Sequence, residues 1–204
     1  MVNRINPQGK FDILIAGVGG QGTVLASRLL AAAAITQGSF ARTSETIGMS
    51  QRGGCVVSHV RINSENSSSI IPFGGADMLI AFELSEAARS IPRLKQGGCC
   101  IINTQTIKPV SASLGTSNYD IDKITDFINS NTEKVFYVDG YSIAQEAGSV
   151  KAVNVVLLGA AAAVGQLPFD KEVIEKAIIE NVPQKFRELN QKAFELGYKN
   201  VLLT

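Results

Sequence analysis

The chain is expected to fold as an α/β protein, a three-layer α/β/α single domain with a mixed, mostly parallel sheet and a helical C-terminal third. Three observations predict this. Short β-rich apolar runs alternate with segments of helical periodicity, the pattern of a layered α/β sheet. The first run, Phe11-Asp12-Ile13-Leu14-Ile15-Ala16, ends directly in a glycine cluster, Gly17 to Gly22. From Val153 onward the residues form helical stripes with no further strand-like run. With 204 residues, no internal repeat and no long linker, residues 1–204 read as one unit.

Taken in order, Phe11 to Ala16 is the first strand. Gln21 to Gln37 follows as a helix with Leu25, Leu29 and Ala32 on its inner face. Its alanines 31–34 permit close packing, and Gly38 is placed to close it. Phe40 to Ser44 is a second strand, and Cys55 to Ile62 a third with Val56, Val60 and Ile62 on one face. The polar loop Asn63 to Ser69 predicts a hairpin return through Ile70 and Ile71, which would make the sheet mixed. Met78 to Phe82 reads as a strand, Leu84 to Ile91 as a helix closed before Pro92, Lys95 to Gly98 as a turn and Cys99 to Ile102 as a strand. Asp120 caps a helix carrying Ile121, Ile124 and Ile128, and Val135 to Val138 is a further strand. Val153 to Val164 is nearly all apolar and therefore a buried helix. Asp170 caps Lys171 to Asn181, which turns Val173, Ile174, Ala177 and Ile178 inward. The last helix aligns Phe186, Leu189, Ala193 and Leu196, with Gly197 at its end.

Hydrophobic residues make up 45% of the chain and charged residues 18%, with a formal net charge of +1. That balance gives no electrostatic reason to expect nucleic acid or an anionic membrane as partner. The low charge density fits either a large core or apolar surface covered by another chain. Met1 to Lys10 lacks the apolar stretch of a signal peptide. The longest apolar run, Ala152 to Val164, falls short of the ~18 residues of a membrane span. A cytoplasmic location is expected. Cys55, Cys99 and Cys100 form no CxxC pair, so neither a zinc site nor a cysteine-ligated iron–sulfur cluster can be assembled from this chain alone. Buried, reduced thiols are the better reading.

The densest functional signal lies in Thr43 to Gly54. It gathers Ser44, Glu45, Gly48, Met49, Gln51, Arg52, Gly53 and Gly54 without hydrophobic periodicity, and reads as a loop built to bring backbone close to a partner. Upstream, Gly17, Gly19, Gly20, Gln21 and Gly22 fit a strand–GxGxxG–helix turn. Its glycines allow close backbone approach, and the helix start offers N–H groups to a phosphate. The same turn equally serves to pack a helix on the sheet or to touch another subunit. A dinucleotide fold needs an acid at the end of the second strand, where Arg42, Thr43 and Ser44 stand, with Glu45 just beyond. Arg52 is suited to pair with a carboxylate or phosphate of a partner, or within the chain with Glu45. Met49 reads as an interface anchor or as local packing. His59 shares a strand face with Val57 and Arg61 and reads as a hydrogen-bonded structural histidine. Asn103 and Asn154 read as backbone caps. Cys55 is an inert buried thiol unless a helix field lowers its pKa.

Ile15 to Thr23 together with Ser44 to Gly54 resembles the gamma module of the thiamine-diphosphate-dependent 2-oxoacid:ferredoxin oxidoreductases, above all the small (beta) subunits of the indolepyruvate branch. Val57 to Arg61, Ala76 to Glu83, Gly97-Gly98 with Asn103-Thr104, Asn154 to Gly159 and Ala193 to Gly197 extend the likeness over nearly the whole chain. The resemblance implies an oxidoreductase subunit that is inactive alone and works beside a large partner. That partner would carry thiamine diphosphate, Mg²⁺ and iron–sulfur clusters. The assembly would convert an aryl 2-oxoacid and coenzyme A into an acyl-CoA, CO₂ and reduced ferredoxin. Here Asp139-Gly140 lacks the preceding Gly of a thiamine diphosphate motif, and Asn154 comes too soon after it. No catalytic residue, bound cofactor or metal ligand is therefore expected in this chain by itself. The 17–22 and 44–54 segments would shape the active site from outside, with docking of the coenzyme A phosphates as one role. Gamma subunits acting on pyruvate, 2-oxoglutarate or branched-chain oxoacids are the neighbouring alternative. A free-standing NAD(P)- or flavin-dependent enzyme and a pure assembly scaffold are the alternatives of other classes.

Overall fold

Every residue of Phe11–Val18 is buried, and this strand, β1, is the axis about which the rest is arranged. The computed structural model describes residues 9–48, 54–107 and 119–202. Among them the remaining strands are β2 (Ala41–Ile47), β3 (Cys55–Ile62), β4 (Ala76–Ala81), β5 (Leu94–Asn103) and β6 (Lys134–Val138). The helices are α1 (Thr23–Thr36), α2 (Leu84–Ser90), α3 (Ile121–Asn131), α4 (Gly140–Ala147), α5 (Val153–Ala163), α6 (Lys171–Asn181) and α7 (Arg187–Leu202). The strand order is β2-β3-β1-β4-β5-β6. β1, β4, β5 and β6 pair in parallel, while β3 runs antiparallel to both β1 and β2. The sheet is mixed and mostly parallel, as expected, but the reversal comes from β3. No hairpin returns through Ile70-Ile71, because the chain leaves β3 and crosses to pair β4 with β1 instead.

Alternation along β1 divides the interior into two cores. Ile13 and Ile15 face one side with α1 and the C-terminal helices, through Ala26, Leu29, Val156 and Phe194. Leu14 and Ala16 face the other side with α2 and α3, through Leu84, Ala87 and Ile128. Three layers result, the first side being the thicker. Cys99 and Cys100, adjacent on β5, fall on opposite sides. Burial raises both thiols to about 12. Among the described residues no helix is long and apolar enough to cross a membrane.

Several local expectations shift. The inner face of α1 is Ala26, Leu29, Leu30 and Ala33, and Leu25 is exposed. An alanine-rich helix carries little phase information, so packing chooses the face. β2 runs three residues past the expected end at Ser44 and takes up Glu45, Thr46 and Ile47, which were expected in the loop. Lys95 to Gly98 belongs to β5, absorbed by an irregularity in its pairing with β4. Asp170 stands at the N-cap of α6 without a side-chain bond to it, whereas Asp120 caps α3 through the Lys123 N–H (3.2 Å). Ile121 is nearly half exposed, and Phe186 lies in an exposed turn before α7.

Gly197 does not end the last helix. A Cβ built on it would stand 2.1 Å from the Val156 carbonyl oxygen, and one on Gly159 would stand 2.1 Å from the Phe194 carbonyl oxygen. The two glycines are reciprocal, and α5 and α7 cross there backbone on backbone. α5 is buried on every side.

At the N-terminal end of β1, Asp12 and Arg61 face each other across the β1–β3 ladder. Arg61 donates to both carboxylate oxygens (2.9 and 2.7 Å) and to the Ile70 carbonyl (3.3 Å). Next to it His59 is buried and accepts the Ile71 N–H at Nδ1 (3.2 Å). Burial, then the Arg93 and Arg61 charges, lower its pKa to about 4. It is a neutral structural histidine, as expected.

Gly159→Ala is expected to cost at least about 3 kcal/mol by forcing two helices apart, while Gly97→Ala, with φ +74° and open space around it, costs about 1 kcal/mol. Denaturant unfolding of the two variants checks the ratio. His59, whose folded pKa is depressed, contributes stability that is whole above the ordinary pKa of 6.5 and is lost as pH falls from there through about 4. His59→Gln is expected to flatten that slope. The only histidine signal in the proton NMR spectrum of the folded wild-type chain should titrate near pH 4.

Candidate functional site

β1 and β4 are neighbours whose following helices leave to opposite faces of the sheet, since α1 covers one core and α2 the other. Such a switch point opens a crevice at the carboxyl ends of the strands. The glycine cluster lies there. Gly17, one residue before the end of β1, stands against Phe82, leaving no room for a Cβ. Gly22 takes φ +87° and is the N-cap of α1, with no side chain to occupy the helix end. The first intrahelical bond runs from the Ala26 N–H to the Gly22 carbonyl (3.0 Å). The N–H groups of Thr23, Val24 and Leu25 therefore have no acceptor within the helix. The first turn also carries no acidic residue.

Gln21 does not start the helix. Its Oε1 accepts the Val18 N–H (2.7 Å), and its Nε2 donates to the Phe82 carbonyl (3.1 Å). Asn103 at the end of β5 donates to the same carbonyl (3.0 Å) and accepts the Gly140 N–H (3.0 Å). Two amides thus lace the ends of β1, β4 and β5 and the start of α4 into one polar belt. Asn154 caps its own turn through the Val155 N–H (3.0 Å), and its Nδ2 packs beside Gly22.

Glu83, fully buried at the N-cap of α2, accepts from five donors: Ser85 N–H and hydroxyl, Glu86 N–H, Ile107 N–H and the Tyr119 hydroxyl. Burial and this carboxylate push the Tyr119 phenol above its ordinary range. The sequence offered little warning of it, because glutamate is an uncommon helix cap.

The second signal meets the first. β2 and β3 form a hairpin stem, and just past its last ladder pair, Ile47 with Val56, the Gly48 N–H donates to the Cys55 carbonyl (3.0 Å). The Gly19 N–H then donates to the Gly54 carbonyl (2.9 Å). The glycine loop and the hairpin thus enclose a cleft of about 440 Å³ lined by Gly19, Gly20, Gly22, Thr23, Val24, Ile47 and Val56. Thr23, Val24, Ile47 and Val56 were not among the site residues expected from sequence. Ile47 and Val56 are cross-strand partners, a relation visible only once the register is known. Ser44 uses its hydroxyl on the Ser69 carbonyl (3.0 Å), and Glu45 is exposed on the edge strand. Met49, Gln51, Arg52 and Gly53 lie outside the described residues, and with them the expected Arg52 pairing. Cys55, beside the cleft, has its pKa raised to about 11 by burial and by the Glu86 carboxylate, the chemistry of an inert thiol.

The pyruvate ferredoxin/flavodoxin oxidoreductase family model matches residues 12–200. Indolepyruvate oxidoreductase subunit IorB of Archaeoglobus fulgidus is 40% identical over 194 residues, covering 95% of this chain and 96% of that protein. The IorB subunit of Thermococcus kodakarensis is 38% identical over 192 residues, covering 93% and 95%. The crystal structure of the gamma subunit of a keto/oxoacid ferredoxin oxidoreductase from Geobacter sulfurreducens superposes with a TM-score of 0.70 at 28% identity, over 95% of this chain and 99% of that one.

Gln21→Ala is expected to leave the Val18 N–H unmet and to cost about 1–3 kcal/mol. Faster hydrogen exchange at Val18, alongside a lowered urea midpoint, would verify the lacing.

Proposed function

The chain belongs to the pyruvate ferredoxin/flavodoxin oxidoreductase family, and on that premise we propose that it is the small subunit of an indolepyruvate-type 2-oxoacid:ferredoxin oxidoreductase. The observation that carries this is 40% identity to an IorB subunit along almost the full length of both chains. The complex takes an aryl 2-oxoacid and coenzyme A to an acyl-CoA and CO₂, and passes the electrons to ferredoxin.

Thiamine diphosphate, Mg²⁺ and the iron–sulfur clusters are assigned to the larger subunit. The donor inventory supports this. Among the described residues no three of His, Cys, Asp and Glu stand together as a metal site. Cys99 and Cys100 point into opposite cores, and His59 is held beside Arg61 and Arg93. These residues do not fit the groups, and no step of the redox chemistry is placed on this chain.

The role we assign to the chain is at the acyl acceptor. The cleft offers backbone N–H groups of the α1 start to an anion, beside the glycine turn and the apolar walls Val24, Ile47 and Val56. That combination suits the diphosphate of coenzyme A with the adjoining pantetheine arm. Gly17 and Gln21 hold the turn, Ser44, Glu45, Gly48 and Gly54 belong to the hairpin stem, and contact with the larger subunit is the role we assign to Met49, Gln51, Arg52 and Gly53.

Tagged chain recovered from its native host is expected to bring down a larger, iron–sulfur-coloured subunit containing thiamine diphosphate; recovery without one overturns the assignment. In the rebuilt complex Val24→Glu sets a carboxylate in the cleft at a helix start, where it does not harm folding. It is expected to raise the KM for coenzyme A about tenfold or more, with assembly and the KM for the 2-oxoacid unchanged.

A further inference from the structure

β2 closes one side of the sheet, and its backbone is oriented by two hydrogen bonds that bracket it. The Gly48 N–H meets the Cys55 carbonyl (3.0 Å) at one end, and the Asn63 N–H meets the Phe40 carbonyl (2.8 Å) at the other. In an antiparallel ladder such pairs recur at every second residue. With the register running from Ala41↔Ile62 to Ile47↔Val56, Arg42, Ser44 and Thr46 turn their N–H and C=O groups to β3. Ala41, Thr43, Glu45 and Ile47 turn theirs outward, off the sheet. Seven strand residues present this row over roughly 23 Å.

Sheet edges are ordinarily blunted by shortness, lysine, proline or a bulge. The opposite edge, β6, has five residues and starts at Lys134. β2 has neither lysine nor proline. Its one cation, Arg42, is folded back onto the carbonyls of Ser67 and Glu65 (3.0 Å each), and Ser44 onto that of Ser69 (3.0 Å). Arg42 and Ser44 are thus engaged on the 65–69 loop, which among the described residues leaves the outward backbone open.

We propose that this edge receives an extended strand of the larger subunit, which prolongs the sheet beyond β2 by backbone pairing. Ile47 argues for that occupant. It is 54% exposed, its backbone belongs to the outward row, and its side chain lines the cleft with Gly19 and Val24. A strand laid along β2 arrives at the cleft. A second copy of this chain paired about a twofold axis would cover the edge but place its own cleft at the far end, bringing no reacting group to either. The added strand carries a lysine or arginine opposite Glu45, which is exposed on the row.

The inference rests on the subunit reading, and the two fail separately. In the isolated chain the amides of Thr43, Glu45 and Ile47 are expected to exchange fast and those of Arg42, Ser44 and Thr46 slowly. In the assembled complex the first set becomes protected at least about tenfold. Thr43→Pro removes one outward N–H without touching the β2–β3 ladder, a change an edge strand tolerates. It is expected to weaken assembly at least about tenfold, whereas Thr43→Ala assembles within about twofold of wild type. Should circular dichroism show Thr43→Pro unfolded, exchange in the wild-type complex decides. A complex that forms while Thr43, Glu45 and Ile47 keep their isolated exchange rates overturns the docking edge and leaves the subunit reading intact. An isolated chain that dimerises with these amides protected overturns it in favour of the second copy.

Discussion

The buried pair of Asp12 and Arg61 is the constraint on which the arrangement depends. The two charges face one another across β1 and β3, nearly out of solvent. Sliding β3 by one residue would turn Arg61 into the core beneath α1, and sliding it by two would strand both charges. A buried pair is weak evidence of net stabilisation, but breaking one costs about 3–5 kcal/mol, which is ample to define a register. That register sets Cys55 opposite Val18 at the other end of the ladder. Gly54 is thereby carried to Gly19, and the hairpin becomes the wall of the cleft. An ion pair at one rim of the sheet determines the geometry of the site at the opposite rim.

The opposite rim is held by neutral amides. Gln21 and Asn103 share the Phe82 carbonyl and reach Val18 and Gly140, so the strand ends cannot splay independently. Glycines beside them keep the backbone close enough for the amides to reach. Charge is used where register must be specified and neutral amides where the strand ends meet the glycine turn. No acidic residue stands in the first turn of α1 beside them.

Much of this was legible in the residues. β3 runs from Cys55 to Ile62 as its alternation predicts, and α6 spans Lys171–Asn181 as its periodicity predicts. Both patterns are strong and local. The departures occur where local chemistry admits two answers. Alanine-rich α1 has no distinct apolar stripe, so Leu25 was placed inward. Gly197 looks like a helix stop, yet its purpose is contact with a helix some forty residues earlier, between Gly197 and Val156. The polar loop after β3 suits a hairpin, but pairing between β1 and β4 prevails. Of the site, the glycine turn and the 44–54 segment were legible from glycine spacing and missing periodicity. Their meeting was not, since the Gly19–Gly54 bond and the Ile47–Val56 pair follow from strand register.

The glycine crossing of α5 and α7 has a consequence for biosynthesis. α5 is buried around its whole circumference, and α7, which covers one side of it, is synthesised after it. Until then the nascent chain displays the face of α5 that α7 later covers. Truncated translation products ending before α7 would therefore be chaperone clients and targets for degradation rather than partly working subunits.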